Sequence, residues 1–348
     1  MKAIRQTDTE YGALSVDTVA VPDVADDEAL VRVHSAGLCG SDAHAYEFVP
    51  GYEWVDVPRI MGHEYAGRVV EVGADVDSVA VGDDVVERPI HECGHCYQCR
   101  NDEYNVCRNF EVTGFHHDGA YGEYTAVRAE YLLEVPSSIP LEHAAITEPT
   151  SIATRAVLDT ADVEPGTTVL VEGPGPIGML CAVIADAVGG DVTVSGLERD
   201  AEFRLPLAAS QGLKTVNVEA ADLGAYADDH TDGGGFDVVF DTTGHHSGLE
   251  TAVEQVRRGG QVIPVGLPAE SSELFLTPLV RGEVRVDPSY GAMRHNFAQA
   301  LRLMESGIVD TDALIDDSYA VDAPETAFED FLAGRTLKPV FRFWDESA

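Results

Sequence analysis

The chain has 348 residues, more than one compact domain usually holds and too few for three, which predicts two domains. Against 22 basic residues stand 61 acidic ones, a formal charge of −39, yet 45% of residues are hydrophobic, the fraction of a folded protein rather than of a disordered acidic tail. No cluster of Lys or Arg offers the basic face that a polyanion needs, which argues against nucleic acid as a partner.

In chain order, the N-terminal residues turn polar before any signal-peptide core forms, and the most apolar stretch, 169–190, is broken by Glu172, Pro174, Pro176 and Asp186. The expectation is a cytoplasmic protein without a membrane span. Residues 29–34, 67–73 and 84–89 are rich in β-branched side chains bounded by Gly, Pro or Asp, and are predicted strands of an irregular β-rich domain over 1–152. Near residue 153 the pattern changes. A buried-strand run at 168–172 leads through a glycine turn into helical spacing over 177–188, and strand and helix then alternate at 192–194, 203–209, 236–240, 249–256 and 261–265. Such alternation predicts an α/β doubly wound fold with a parallel sheet over 153–286. The acidic stretch 220–235 reads as a surface helix and loop. After residue 287 one clear amphipathic helix (296–306) and a closing strand (338–343) complete the chain.

Four of six cysteines crowd into fifteen positions: Cys93, Cys96, Cys99 and Cys107. Disulfide scaffolds belong to short secreted chains, so this run reads as a closed tetrahedral set of four thiolates for a structural zinc. An iron–sulfur cluster is the rival, but Cys107 is not followed by proline and no second cluster motif exists. Cys39, within Gly37-Leu38-Cys39-Gly40-Ser41-Asp42-x-His44, and the pair His63-Glu64 supply one thiolate, one imidazole and one carboxylate. Three protein ligands with an open fourth position are what a catalytic zinc requires. Glu148, in Thr147-Glu148-Pro149, is a further carboxylate candidate, ligating directly or through bound water. Cys181 reads as a small core residue.

The turn Gly173-Pro174-Gly175-Pro176-Ile177-Gly178 follows a predicted strand and opens a predicted helix, the context in which glycines admit a pyrophosphate to a helix N-terminus. At the end of the second strand, where an NAD site carries an acid about 20 residues past the turn, stands Gly196 beside Ser195. With Arg199 and Arg204 downstream, this pattern favours NADP or dual use; Glu198 and Asp200 flank Arg199 and keep NAD as the alternative. Thr243, Val265 and Gly266 are the further candidate coenzyme contacts.

Taken together, these motifs make the chain resemble a zinc-dependent medium-chain alcohol dehydrogenase, close to the sorbitol (polyol) and threonine dehydrogenase branch, over essentially its whole length. The resemblance implies a GroES-like catalytic domain (1–152) with two zinc sites, a Rossmann coenzyme domain (153–286) and a C-terminal return to the catalytic domain (287–348). It implies that zinc held by Cys39, His63 and Glu64 activates a substrate alcohol, that Ser41 and His44 relay its proton, and that hydride passes to NAD(P). Alcohol dehydrogenases include a catalytic zinc held by two cysteines and one histidine; Glu148 stands where those enzymes carry their second cysteine, which favours a polyol, sugar or secondary alcohol as substrate. L-threonine 3-dehydrogenase or a glucose-type sugar dehydrogenase is the alternative. A zinc-free reductase would lack the cysteine knuckle and the Cys39/His63 pair, and a non-catalytic zinc module would need neither the open site nor the glycine turn. Loops 46–54 and 115–118 are expected to wall the substrate, and the family implies a homodimer or homotetramer. The scarcity of lysine (Lys2, Lys214 and Lys338 alone) beside excess acid resembles halophilic proteins; at about 1 M salt the Debye length is roughly 3 Å, which screens such a surface.

Overall fold

The computed structural model describes residues 1–52 and 54–344, so Glu53 in the loop 46–54 and the last residues of the C-terminal segment, 345–348, lie outside the described residues. The chain divides into two compact units, one formed by Met1–Ser151 with Gly291–Ala348 and the other by Ile152–Tyr290.

The first unit is built on strand Glu28–Gly37, whose buried Ala29, Val31, Val33 and Ala36 make it a central strand. It pairs antiparallel with Glu64–Val72, Tyr124–Arg128 and Pro339–Arg342. The register sets Gly37 opposite both Glu64 and Val340, so three distant parts of the chain meet at one end of the sheet. The core beneath is aromatic: Tyr46 stacks on Phe328 at 4.7 Å, and Tyr121 meets Phe341 edge-on at 5.1 Å.

One helix was expected after residue 287, and the described residues there contain three: Arg294–Glu305, Thr311–Leu314 and Pro324–Leu332. The last eludes a periodicity search because its apolar residues crowd toward its C-terminal half, yet it carries the buried Ala327 and Phe328. Pro324 opens it without loss, since the first helical N–H has no intrahelical partner.

In the second unit six strands pair in parallel, in the spatial order Lys214–Asn217, Asp191–Gly196, Thr168–Glu172, Phe236–Asp241, Val256–Pro264, Arg285–Val286. This is the 3-2-1-4-5-6 order of a doubly wound dinucleotide fold. No helix among the described residues is long and apolar enough to cross a membrane.

Glu172 ends the central strand of that sheet with both carboxylate oxygens buried and without hydrogen-bond partners. Burial, with Asp241 nearby, holds its pKa well above the usual carboxylate value. An acid whose folded-state pKa is raised weakens the fold as pH climbs from its unfolded pKa to its folded one. Glu172→Gln is therefore expected to raise the melting temperature at pH 8 by about 3 °C, from roughly 1 kcal/mol of relieved burial cost. At pH 4 the variant and wild type should coincide; an equal shift at both pH values would contradict the assignment.

Candidate active site

Cys39 lies two residues past the end of the central strand and caps helix Gly40–Glu47, while His63 and Glu64 stand where the neighbouring strand begins. The Sγ of Cys39, a ring nitrogen of His63 and a carboxylate oxygen of Glu64 all lie within 4.8 Å of one another, and His63 and Glu64 are buried. Thiolate, imidazole and carboxylate form a donor set that suits zinc. Asp42, fully buried, organises it: its carboxylate accepts from the Cys39 N–H at 3.1 Å and from the Tyr121 hydroxyl at 2.8 Å, and it stands 3.6 Å from Nδ1 of His63. A carboxylate behind a ligating histidine fixes the ring and its tautomer. Burial works to lower the His63 pKa, but Asp42 and Cys39 raise it more, leaving it well above the usual histidine value. The negative field that holds a proton there would equally draw a cation.

Lys338, fully enclosed, donates from Nζ to both oxygens of Glu64, at 2.8 and 2.6 Å, and to the Leu38 carbonyl at 3.0 Å. Burial tends to lower its pKa, yet Glu64 and then Cys39 raise it further, so the ammonium is kept charged. Glu148, buried in the first turn of helix Thr147–Arg155, stands outside the three-residue set that closes within 4.8 Å. Burial raises its pKa to about 7, against His63 and Lys338, whose lowering pull outweighs the raising push of Glu64 and Asp42. Ser41 Oγ approaches His63 Nε2 at 3.5 Å. Among the described residues no hydrogen bond joins Ser41 to His44, whose pKa burial lowers against the opposing pull of Glu47. From this site a series of rings leads outward: His63 to Phe115 at 5.3 Å, Phe115 to Trp54 at 5.5 Å, Trp54 to Tyr52 at 6.3 Å and Tyr52 to His44 at 5.5 Å.

The four cysteines are free of disulfides and their sulfurs converge, Cys96 to Cys99 at 3.4 Å, Cys93 to Cys107 at 3.5 Å and Cys96 to Cys107 at 3.7 Å. A tetrahedron of thiolates about 2.3 Å from zinc has edges of about 3.8 Å, so the spacing fits that ion. Backbone N–H groups point at the sulfurs, from Cys93 and Asn109 to Cys107 at 3.3 Å each. The N–H of His95 leads the interactions that lower the Cys93 pKa to about 6, and that of Cys99 leads those lowering Cys96, while burial pushes Cys99 up to about 12.

In the second unit helix Pro176–Ala187 begins at Gly175, and two of its glycines have different reasons. A Cβ at Gly178 would strike the Gly173 carbonyl, so that glycine lets helix and strand close together. At Gly175 a Cβ would meet no protein atom within 4 Å, so packing does not require glycine there, whereas the approach of a pyrophosphate would. Ser195 and Gly196 end the neighbouring strand. Arg204 lies 3.6 Å from the buried Asp200, whose other oxygen accepts from the Leu197 N–H at 3.0 Å. Arg199 is exposed with no ion pair among the described residues, and Glu198 is engaged by the Asn217 amide at 2.6 Å. Thr243 bonds Asp241 at 2.7 Å, and Val265 and Gly266 donate to the Asp241 carbonyl, which places all three at the same strand end.

Sequence reasoning missed three residues of the first site. Asp42 sat in plain view, three positions after Cys39, where a helix-capping acid is expected. Tyr121 and Lys338 carry no local signal, since Lys338 is separated from Glu64 by 274 positions. Replacing Lys338 by Met should leave Glu64 buried without its counter-charge and cost about 3–5 kcal/mol in metal-free protein. Urea denaturation checks this, and a loss below about 1 kcal/mol would show that the pair does not stabilise the fold.

Residues 25–137 match the alcohol dehydrogenase GroES-like domain family, and residues 176–306 match the zinc-binding dehydrogenase family. The L-threonine 3-dehydrogenase of Pyrococcus furiosus is 36% identical over 98% of this chain and 98% of its own. The sorbitol dehydrogenase of Bacillus subtilis is 33% identical over 91% of this chain and 90% of its own. The crystal structure of 2R,3R-butanediol dehydrogenase from Bacillus subtilis superposes with a TM-score of 0.89 at 28% identity, covering 99% of each chain. Solved structures of this fold include complexes with NADP and with NADH. With both family matches lying on the units that carry the metal-type donors and the glycine turn, the chain belongs to the zinc-dependent medium-chain alcohol dehydrogenase superfamily, whose members are NAD(P)-dependent oxidoreductases.

Proposed function

We propose that this dehydrogenase interconverts the secondary alcohol of a polyol or sugar and the corresponding ketone, using NADP or both coenzymes. The carrying observation is the convergence of Cys39, His63 and Glu64 within 4.8 Å, with the buried carboxyl of Glu148 beside them. In this reading Cys39, His63 and Glu64 hold a zinc ion, Glu148 is a second carboxylate at the same centre, and Cys93, Cys96, Cys99 and Cys107 hold a second zinc. A bound zinc supplies Lewis acidity that lowers the pKa of a coordinated alcohol, and the nicotinamide supplies the hydride acceptor. Asp42 positions the His63 ring, and Lys338 limits the charge that Glu64 presents. Ser41 orients the substrate hydroxyl. His44, kept neutral by burial, can take up the proton that the hydroxyl loses. Glu148, with a pKa of about 7, can hold or release a proton near neutrality. Phe115, Trp54 and Tyr52 wall the substrate with aromatic faces. Metal chemistry belongs to 1–152 with 287–348, and coenzyme binding to 153–286, in a cytoplasmic homodimer or homotetramer.

L-threonine is the second reading, supported by the 36% identity to a threonine dehydrogenase. Oxidation assays with sorbitol and other polyols, aldoses, 2,3-butanediol and threonine, each with NADP and NAD in high salt, test the proposal; turnover of threonine alone would overturn the polyol reading. Cys39→Ser should abolish turnover while coenzyme titration stays near wild type, because the two functions are assigned to different units. Equal loss of both would refute that division.

For the coenzyme, Arg199 is the free guanidinium and Arg204 is engaged by Asp200, so Arg199 is assigned to the 2′-phosphate. Arg199→Ala should lower kcat/KM for NADP about tenfold, roughly 1.4 kcal/mol, and leave NAD nearly unchanged. A change below about twofold, or a wild-type preference for NAD, would remove this assignment.

A further inference from the structure

A third group of ligating side chains lies apart from both centres. Glu87 ends strand Asp84–Glu87, His91 ends the short strand Ile90–His91, and His117 follows strand Glu111–Val112, with which Ile90–His91 pairs. This two-stranded ribbon closes the base of the loop that carries the four cysteines. One ligand atom from each of Glu87, His91 and His117 lies within 4.8 Å of the others. His91 Nε2 is 2.7 Å from Oε1 of Glu87, and the Thr113 hydroxyl joins the same oxygen at 2.5 Å to His117 Nε2 at 3.1 Å. The two imidazole rings stack with centroids 5.0 Å apart.

Three features distinguish this group from an ordinary hydrogen-bonded cluster. Glu87 is 1% exposed, and its second oxygen makes no close hydrogen bond, although the buried Tyr65 hydroxyl acts on the same carboxylate. Among the described residues no Lys or Arg pairs with it, so His91 is its sole ion-pair partner. Buried carboxylates are otherwise paired or bound to metals. Finally, His91 and His117 border a cavity of about 740 Å³, lined by the acids Glu111 and Asp118 as well as by Arg5 and Arg128, which opens a path to them. Two imidazoles and one carboxylate with an open side form a donor set for a borderline divalent transition ion.

We propose that Glu87, His91 and His117 form a third metal site, taking a divalent ion of the zinc type and fastening the base of the cysteine loop to the catalytic sheet. The loop 115–118 then serves two sites, with Phe115 turned to His63 and His117 turned to Glu87.

The test is titration of the metal-depleted full-length protein with Zn2+ and with Co2+, comparing wild type and His117→Gln. Wild type should bind one equivalent more than the variant. That equivalent of Co2+ should add ligand-field absorption without a thiolate-to-cobalt charge-transfer band, since neither cysteine centre contributes. Equal stoichiometry in a folded variant would overturn the proposal. The wild-type spectrum decides independently of how the variant folds, because thiolate bands accompanying every bound equivalent would also overturn it. Neither outcome depends on turnover, so failure here is distinct from failure of the dehydrogenase reading.

Discussion

The metal-type site depends on a buried ion pair set by strand register. Gly37 faces Glu64 on one side and Val340 on the other, which delivers Lys338 to Glu64 and leaves Cys39 and His63 beside them. A slip of one residue would turn alternate side chains to the opposite face and leave both charges buried alone, at a cost of several kcal/mol. Register and site therefore enforce one another. The fold is held to the alignment that assembles the donors, because any other alignment strands a carboxylate and an ammonium in the core.

Negative charge is handled by different means inside and out. Most of the chain's 61 acidic side chains lie outside the core with few basic partners, and salt screens such a surface. Away from that surface, several negative groups have a structural answer. Backbone N–H groups meet the cysteine sulfurs, Lys338 and the Tyr121 hydroxyl meet Glu64 and Asp42, and His91 with Thr113 meets Glu87. Glu172 and Glu148 are exceptions, and at both burial favours the protonated acid. Ligand sets are thus built where donors are dense and cationic side chains scarce, a pattern that leaves room for a cation.

In the second unit the same economy shapes the coenzyme region. Asp200 is withdrawn into the fold by the Leu197 N–H and by Arg204, and Glu198 is drawn to Asn217. Acids that the chain order sets beside Arg199 are thereby committed to neighbours, and Arg199 remains exposed without an ion pair among the described residues. Sequence proximity suggested two arginines for a phosphate; local pairing separates them.

Much of this was legible from residue order because the chemistry is local. Cys93, Cys96, Cys99 and Cys107 are close enough in sequence for one loop to gather them, the glycine turn sits between a strand and a helix, and strand–helix alternation fixes a parallel sheet. Motif spacing likewise offered Cys39, His63 and Glu64. What it could not offer were partners joined only through the sheet: Lys338, 274 positions from Glu64; Tyr121 against Asp42; and the short helix Pro324–Leu332 that packs Phe328 into the core. The grouping of Glu87, His91 and His117 was equally hidden, since no fixed spacing marks it. The sequence by itself determined the composition of each ligand set whose members share a loop or turn, because short chain segments restrict the distances their side chains can span. Only the tertiary structure decided which buried charges meet, because a contact across strands depends on register and packing that no local spacing encodes.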